Sequence, residues 1–131
     1  YFIKPNLIEF QEATASTAKS IASVRKEARK LLEKVPYVCI SSVEGGALLA
    51  TKNGAYFGRI PRVKIKSTVG AGDSMVGAMT AQFFRKNKSD LDILRWGLAA
   101  AAATLSHPGT AFGTASEILS LYKKTTVEAI G

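Results

Sequence analysis

The stretch STVGAGDSMVGAM, residues 67–79, sets Gly70, Gly72 and Asp73 at the mouth of an apolar run in which Met75, Met79 and Phe83 fall four apart. That spacing predicts a helix from about Asp73 to Arg85. Glycine is a poor helix former and a carboxylate is costly to bury, so the stretch makes sense if open backbone amides are needed there. The preceding RVKIK, residues 62–66, alternates like a strand. A strand, Gly-Ala-Gly and a helix gather unpaired N–H groups and the positive end of a helix dipole into one small volume, which suits a phosphate. No Gly-Lys-Ser/Thr follows, and Met75 stands where a dinucleotide fingerprint has its third glycine, so neither common nucleotide motif applies. Asp73 beside such a cup has two readings. As a helix cap it would satisfy amides and dipole. As a base it would take a proton from a hydroxyl that attacks a phosphoryl group held by the amides.

Outward from this turn, the chain of 131 residues, 47% hydrophobic, fits one α/β-sized domain without a boundary. The opening YFIKPN, residues 1–6, lacks an initiator Met and an apolar leader, and suggests a piece of a longer protein. It reads as a strand end entering a turn at Pro5 and Asn6. A helix from about Thr14 to Lys34 is expected, with Ile21, Val24, Ala28, Leu31 and Val35 on its buried face. YVCIS, residues 37–41, reads as a strand covered on both sides, as in a parallel sheet. GALLATKNGAYFGR, residues 46–59, reads as a hairpin with positive φ at Asn53 and Gly54. A helix from Ser89 or Asp90 through LDILRWGLAAAAATL, with alanines that permit close packing, precedes a loop and a last helix near 116–123. The polar motifs at 4–6, at Ser41 and near Ser67 are expected to follow parallel strands on one sheet edge.

The formal charge of +8 raises a nucleic-acid reading, which its distribution disfavours. Lys19, Arg25, Lys26, Arg29, Lys30 and Lys34 share one expected helix with Glu27 and Glu33, and Arg59, Arg62, Lys64 and Lys66 alternate along one expected strand. Neither stretch has the interleaved aromatics that stack bases, so small anions are the better match. The longest apolar run, WGLAAAAATL, is shorter than the roughly 20 residues of a membrane span. The lone Cys39 reads as a buried small hydrophobe and the lone His107 as a loop residue without chemistry, which leaves no disulfide framework or zinc site.

STVGAGDSMVGAM resembles the second signature of the phosphofructokinase-B (PfkB) family of ribokinase-like sugar kinases, Asp/Ser-Thr-x-Gly-Ala-Gly-Asp. KPN at 4–6 with Glu9, SSVEGGALL at 41–49 and AAATLSHPGT at 101–110 follow in the family's order. The resemblance implies the carboxy-terminal portion of a three-layer αβα ribokinase-like fold. It implies Asp73 as catalytic base and Gly70, Ala71 and Gly72 as anion hole. Lys4, Asn6, Ser41, Gly46 and Thr68 would lie at ATP and its Mg2+. Ser67, Val69, Ala103 and Gly109 match positions that hold a monovalent cation, usually K+, in many members. Val43 stands where close relatives have Gly, Ala111 where one has Arg, and a residue is inserted near His107, before Gly109.

The stretch is most similar to that of the minor bacterial 6-phosphofructokinases, which implies transfer of the ATP γ-phosphate to fructose 6-phosphate. A 1-phosphofructokinase or tagatose-6-phosphate kinase is the alternative, and a non-catalytic nucleotide-binding regulator is a reading of another class. The partners implied are ATP and a sugar phosphate, without nucleic acid or membrane, in a cytoplasmic enzyme that is a homodimer at full length. The isolated chain is expected to be inactive, since the family's sugar site lies largely in the amino-terminal half.

Overall fold

The structure, a computed structural model, describes residues 1–85, 88–108 and 113–130. They form two compact units, Tyr1–Phe57 with the residues from Glu128, and Gly58–Val127.

In the first unit, strand β1 (Phe2–Ile3) leads through Pro5 to helix α1 (Leu7–Thr14). Asn6 is the turn former expected, and its side chain also starts the helix. Its Oδ1 accepts from Glu9 N at 2.8 Å while Asn6 N donates to Glu9 Oε1 at 2.9 Å, a capping box. Ala15, at φ 51°, ends α1 in the left-handed conformation. Ser20 then caps helix α2 (Ile21–Leu31), its side chain accepting from Ser23 N. The helix expected from Thr14 to Lys34 is corrected: capped by Ser20, it runs only from Ile21 to Leu31, and α1, ended by the left-handed Ala15, is a helix that lies before the expected one and was not anticipated. The expected buried face of α2 holds, with Val24 and Ala28 fully buried and Ile21, Leu31 and Val35 packed against the core.

Strands β2 (Tyr37–Val43), β3 (Gly46–Thr51), β4 (Gly54–Gly58) and β5 (Val127–Ala129) complete a sheet of order β1-β2-β3-β4-β5. β1 pairs with β2 in parallel, and β2 with β3 in antiparallel fashion, Tyr37 opposite Thr51 and Ser41 opposite Ala47. Val38, Cys39 and Ile40 are fully buried, as their unbroken apolar run requires. Burial pushes the Cys39 thiol up to about 12, against a smaller opposing pull from Lys4, so it is an inert filler. The β3–β4 hairpin forms as expected, but positive φ falls on Gly54 alone, at 147°, and Asn53 N instead donates to Thr51 Oγ1 at 3.0 Å.

In the second unit, helix α3 (Ala71–Phe83) packs against α4 (Asp90–Leu105), and α4 against α5 (Ala115–Lys124). Ser89 caps α4 as expected. Gly97 permits the close approach of α3 and α4, since a Cβ there would lie 2.6 Å from Met79 Cγ. The run Ala99–Ala103 is buried, as close helix contact demands. The strand expected at 62–66 is corrected: residues 59–66 form no strand. Pro61 has no N–H to give a ladder, Ile65 is 57% exposed, and Lys66 N donates to Leu105 O at the end of α4 rather than to a strand. No strand among the described residues leads into Ser67, so that part of the one-edge expectation is corrected too.

Candidate active site

The candidate residues fall into two groups. In the first unit, Asn6 and Ser41 form an isolated parallel bridge just beyond β1, with Ser41 N donating to Pro5 O at 3.1 Å. Lys4 is adjacent on the same short segment, and Gly46 opens β3. The connection between β2 and β3 is sharply bent, with Ser42 at φ 63°, Glu44 at 46° and Gly45 at 78° around a register shift between Ser41 and Val43. Val43 is fully buried in the core of the first unit. The left-handed conformations therefore fall on its neighbours, which explains how a β-branched residue is accommodated there. Glu44 steadies this bend, its Oε2 accepting from Ile21 N at 2.7 Å in the first turn of α2. Sequence reasoning missed that tie because its partners are far apart in the chain; it also read Asn6 only as a turn former, although the Asn-x-x-Glu spacing of the Asn6 capping box was a local signal for α1.

In the second unit, Gly70 is the N-cap of α3, at φ 82°, and among the described residues no side chain caps this helix. Ser74 N donates to Gly70 O as the first helical bond. Among the described residues the N–H groups of Ala71, Gly72 and Asp73 have no acceptor. They lie at the positive end of a helix of 13 residues. Asp73 is exposed, and among the described residues its carboxylate has neither a hydrogen bond nor an ion pair. The first turn of α3 is fixed by Ser74 Oγ, which donates to Ala100 O at 3.1 Å, a positioning contact that the sequence did not disclose. Thr68 is exposed just before the turn.

The three open amides fit an anionic oxygen group such as a phosphate. For a divalent cation the fit is partial: among the described residues no three His, Cys, Asp or Glu side chains cluster, and the Glu9 carboxylate serves the Asn6 cap. A hydrated ion shared with substrate phosphates needs only one or two carboxylates. Of the expected monovalent-cation positions, Ser67 Oγ accepts from Val69 N at 3.2 Å, and Ala103 O accepts from Ser106 Oγ at 2.7 Å. Residues 66–67 meet the end of α4 through Leu105 O. All of these are oxygen donors suited to a hard cation. Gly109 and Ala111 lie outside the described residues.

His107, expected to be a plain loop residue, shares a 2.7 Å hydrogen bond with Glu117 Oε2. The Glu117 carboxyl is held below its ordinary 4.5, first by the Thr114 backbone N–H of its capping box and then by His107 and the Thr114 hydroxyl. A depressed carboxylate stabilises the fold above its ordinary pKa and ceases to do so as pH falls through its folded value. Carbon-detected titration is expected to show Glu117 ionising below 4.5, with α5 fraying at its amino end on acidification. A Glu117 midpoint at or above 4.5 would contradict this.

No helix among the described residues is long and apolar enough to cross a membrane. The chain is 36% identical over 110 residues to the ATP-dependent 6-phosphofructokinase isozyme 2 of Escherichia coli, covering 82% of this chain and 35% of that enzyme. It is 30% identical over 105 residues to the 1-phosphofructokinase of Bacillus subtilis, covering 79% of this chain and 34% of that one. Among solved structures, phosphofructokinase-2 from Escherichia coli in complex with potassium superposes with a TM-score of 0.84 at 32% identity, over 93% of this chain and 40% of that one. The chain thus spans about a third of the length of the curated relatives it matches. The α/β class read from the sequence is the class observed, and the solved relatives share it. Residues 1–117 match the pattern of the pfkB family carbohydrate kinases, and the chain belongs to that family.

Proposed function

We propose that this chain is the carboxy-terminal, nucleotide-binding and catalytic part of an ATP-dependent sugar kinase that phosphorylates a hydroxyl of a phosphorylated sugar. The observation that carries the reading is the amino end of α3, where among the described residues three amides lack acceptors beside an exposed Asp73 that caps nothing. A purely structural Asp would be expected to use its carboxylate locally, as Asn6 uses its side-chain amide oxygen and Ser20, Ser89 and Thr114 use their hydroxyls at the other helices.

When bound, ATP with a divalent cation would supply the transferable γ-phosphoryl group. The amides of Ala71, Gly72 and Asp73 would donate to the charge developing on the phosphoryl oxygens. An Asp73 carboxylate oxygen would accept the proton of the attacking sugar hydroxyl. Lys4, Asn6, Ser41, Gly46 and Thr68 are proposed to line the nucleotide. Asn6 Oδ1 is already committed to the α1 cap, which leaves its side-chain N–H groups as donors. Ser67, Val69, Ala103 and Gly109 are proposed to hold a potassium ion, a reading favoured by the oxygen donors at 67 and 103 and by the potassium named with the solved relative.

Fructose 6-phosphate is the proposed acceptor, supported by the 35–36% identity to two 6-phosphofructokinases against 30–33% to 1-phosphofructokinases. Cytoplasmic residence and a homodimer at full length are part of this proposal, supported only by the family resemblance. The test is a coupled assay of the full-length protein carrying this chain. Its kcat/KM is expected to be at least tenfold higher for fructose 6-phosphate than for fructose 1-phosphate or tagatose 6-phosphate. A preference for either of the others would reassign the acceptor.

A further inference from the structure

A groove of about 520 Å3 lies in the first unit between the later turns of α2 and the β3–β4 turn, with Arg25, Arg29 and Glu33 on one side and Lys52 on the other. Its size is that of a small-molecule site. Arg29 and Lys52 outnumber the one carboxylate, Glu33, and Arg25 beside them has a partner of its own, so the groove is net positive and suits an anionic group such as a phosphomonoester. Among the described residues, the Arg29 and Lys52 side chains have neither a hydrogen bond nor an ion pair, whereas Lys30, outside the groove, is spent on Glu27 at 3.1 Å. The helix dipole accounts for an arginine in the last turn of α2. It does not account for Lys52, which the hairpin brings to the opposite wall. Leu32 and Ala50 add an apolar surface against which a short carbon skeleton can rest.

We propose that this groove binds a small phosphomonoester at a site separate from the Asn6–Ser41 bridge. The sheet register supports the separation. Tyr37 lies opposite Thr51, at the hairpin end of β2, while Ser41 lies at its other end, roughly 13 Å away at the rise of an extended strand. Arg29 supplies a planar fork for phosphate oxygens, and Lys52 supplies a mobile second charge. No aromatic residue lines the groove, so nothing there stacks bases, and a concave basic site favours a compact anion over a nucleic-acid strand.

The test titrates glycerol 3-phosphate, and separately inorganic phosphate, into the full-length protein carrying this chain, by calorimetry in about 0.15 M salt, where loose surface attraction is screened. Saturable binding is expected. The double variant Arg29→Gln/Lys52→Gln is expected to weaken it at least tenfold without lowering the melting temperature, since both side chains are exposed. Lys30→Gln, on the same helix outside the groove, is expected to change it less than twofold, and Asp73→Asn is expected to leave it unchanged. The proposal is overturned if binding is absent at that salt, if Lys30→Gln weakens it as much as the double variant, or if only Asp73→Asn alters it, which would place the anion at α3 instead. Should the double variant melt early, the single variants Arg29→Gln and Lys52→Gln must each weaken binding at an unchanged melting temperature, or the proposal fails. Binding by inorganic phosphate alone would mean an adventitious anion and would also overturn it.

Discussion

Asp73→Asn is expected to lower kcat at least a hundredfold in the full-length protein, with little change in KM for ATP and no loss of fold. General-base catalysis contributes about 10² to 10⁴ in rate, and a hundredfold loss corresponds to about 2.7 kcal/mol of barrier. Asparagine keeps the size and polarity of the side chain and removes its basicity. The cap reading predicts the reverse pattern, because Asn caps a helix as well as Asp and the rate would survive. The structure sharpens the contrast, since Gly70, not Asp73, occupies the N-cap of α3 and the Asp73 carboxylate has no bond to lose among the described residues. The only local cost is the favourable placement of a negative charge in the first turn, about 0.3–1 kcal/mol when exposed. Steady-state rates beside a thermal melt decide between the two. A folded variant with near-normal kcat would remove Asp73 from the chemistry and with it the main support for a kinase centre at this turn.

Phe10→Ala is expected to destabilise the protein by about 3–5 kcal/mol, the usual loss when a fully buried aromatic leaves a cavity. Phe10 is wholly inaccessible and is the buried residue of α1, packed in the core with Val24, Val38 and Ile40. It also bonds to the cap, since its backbone N–H donates to Asn6 O at 2.8 Å. Loosening α1 should therefore disturb the Asn6–Ser41 bridge that α1 helps to hold. Urea unfolding is expected to show a lower midpoint at an unchanged slope. A loss below about 1 kcal/mol would mean that the core collapses around the gap and that α1 is not an anchor of this corner.

Much of this molecule was written in local rules. The cap at Ser89, the spacing of Val24 with Ala28 and of Met75 with Met79, the apolar run at Tyr37–Ile40 and the glycine turn before α3 act over a few residues, so the sequence by itself determined the α/β class, the core faces of its helices and the position of a candidate anion cup. The presence of α1 and the start of α2 were also legible in principle, as Asn6 with Glu9 and Ser20 with Ser23, but Asn6 reads equally as a turn former and the apolar spacing that marks α2 begins only at Ile21. Other features depend on partners far apart in the chain. Alternation at 62–66 specifies a strand only if another strand accepts it, and here Leu105 O at the end of α4 takes the amide of Lys66. Glu44 reaches the first turn of α2 at Ile21, Ser74 reaches Ala100, and His107 reaches Glu117. Arg29 and Lys52 line one groove only because antiparallel pairing of β2 with β3 returns the chain to the hairpin beside α2. Tertiary structure decided these contacts because a side chain's partner is set by which distant segment the packing brings within hydrogen-bond reach, and no local periodicity encodes that.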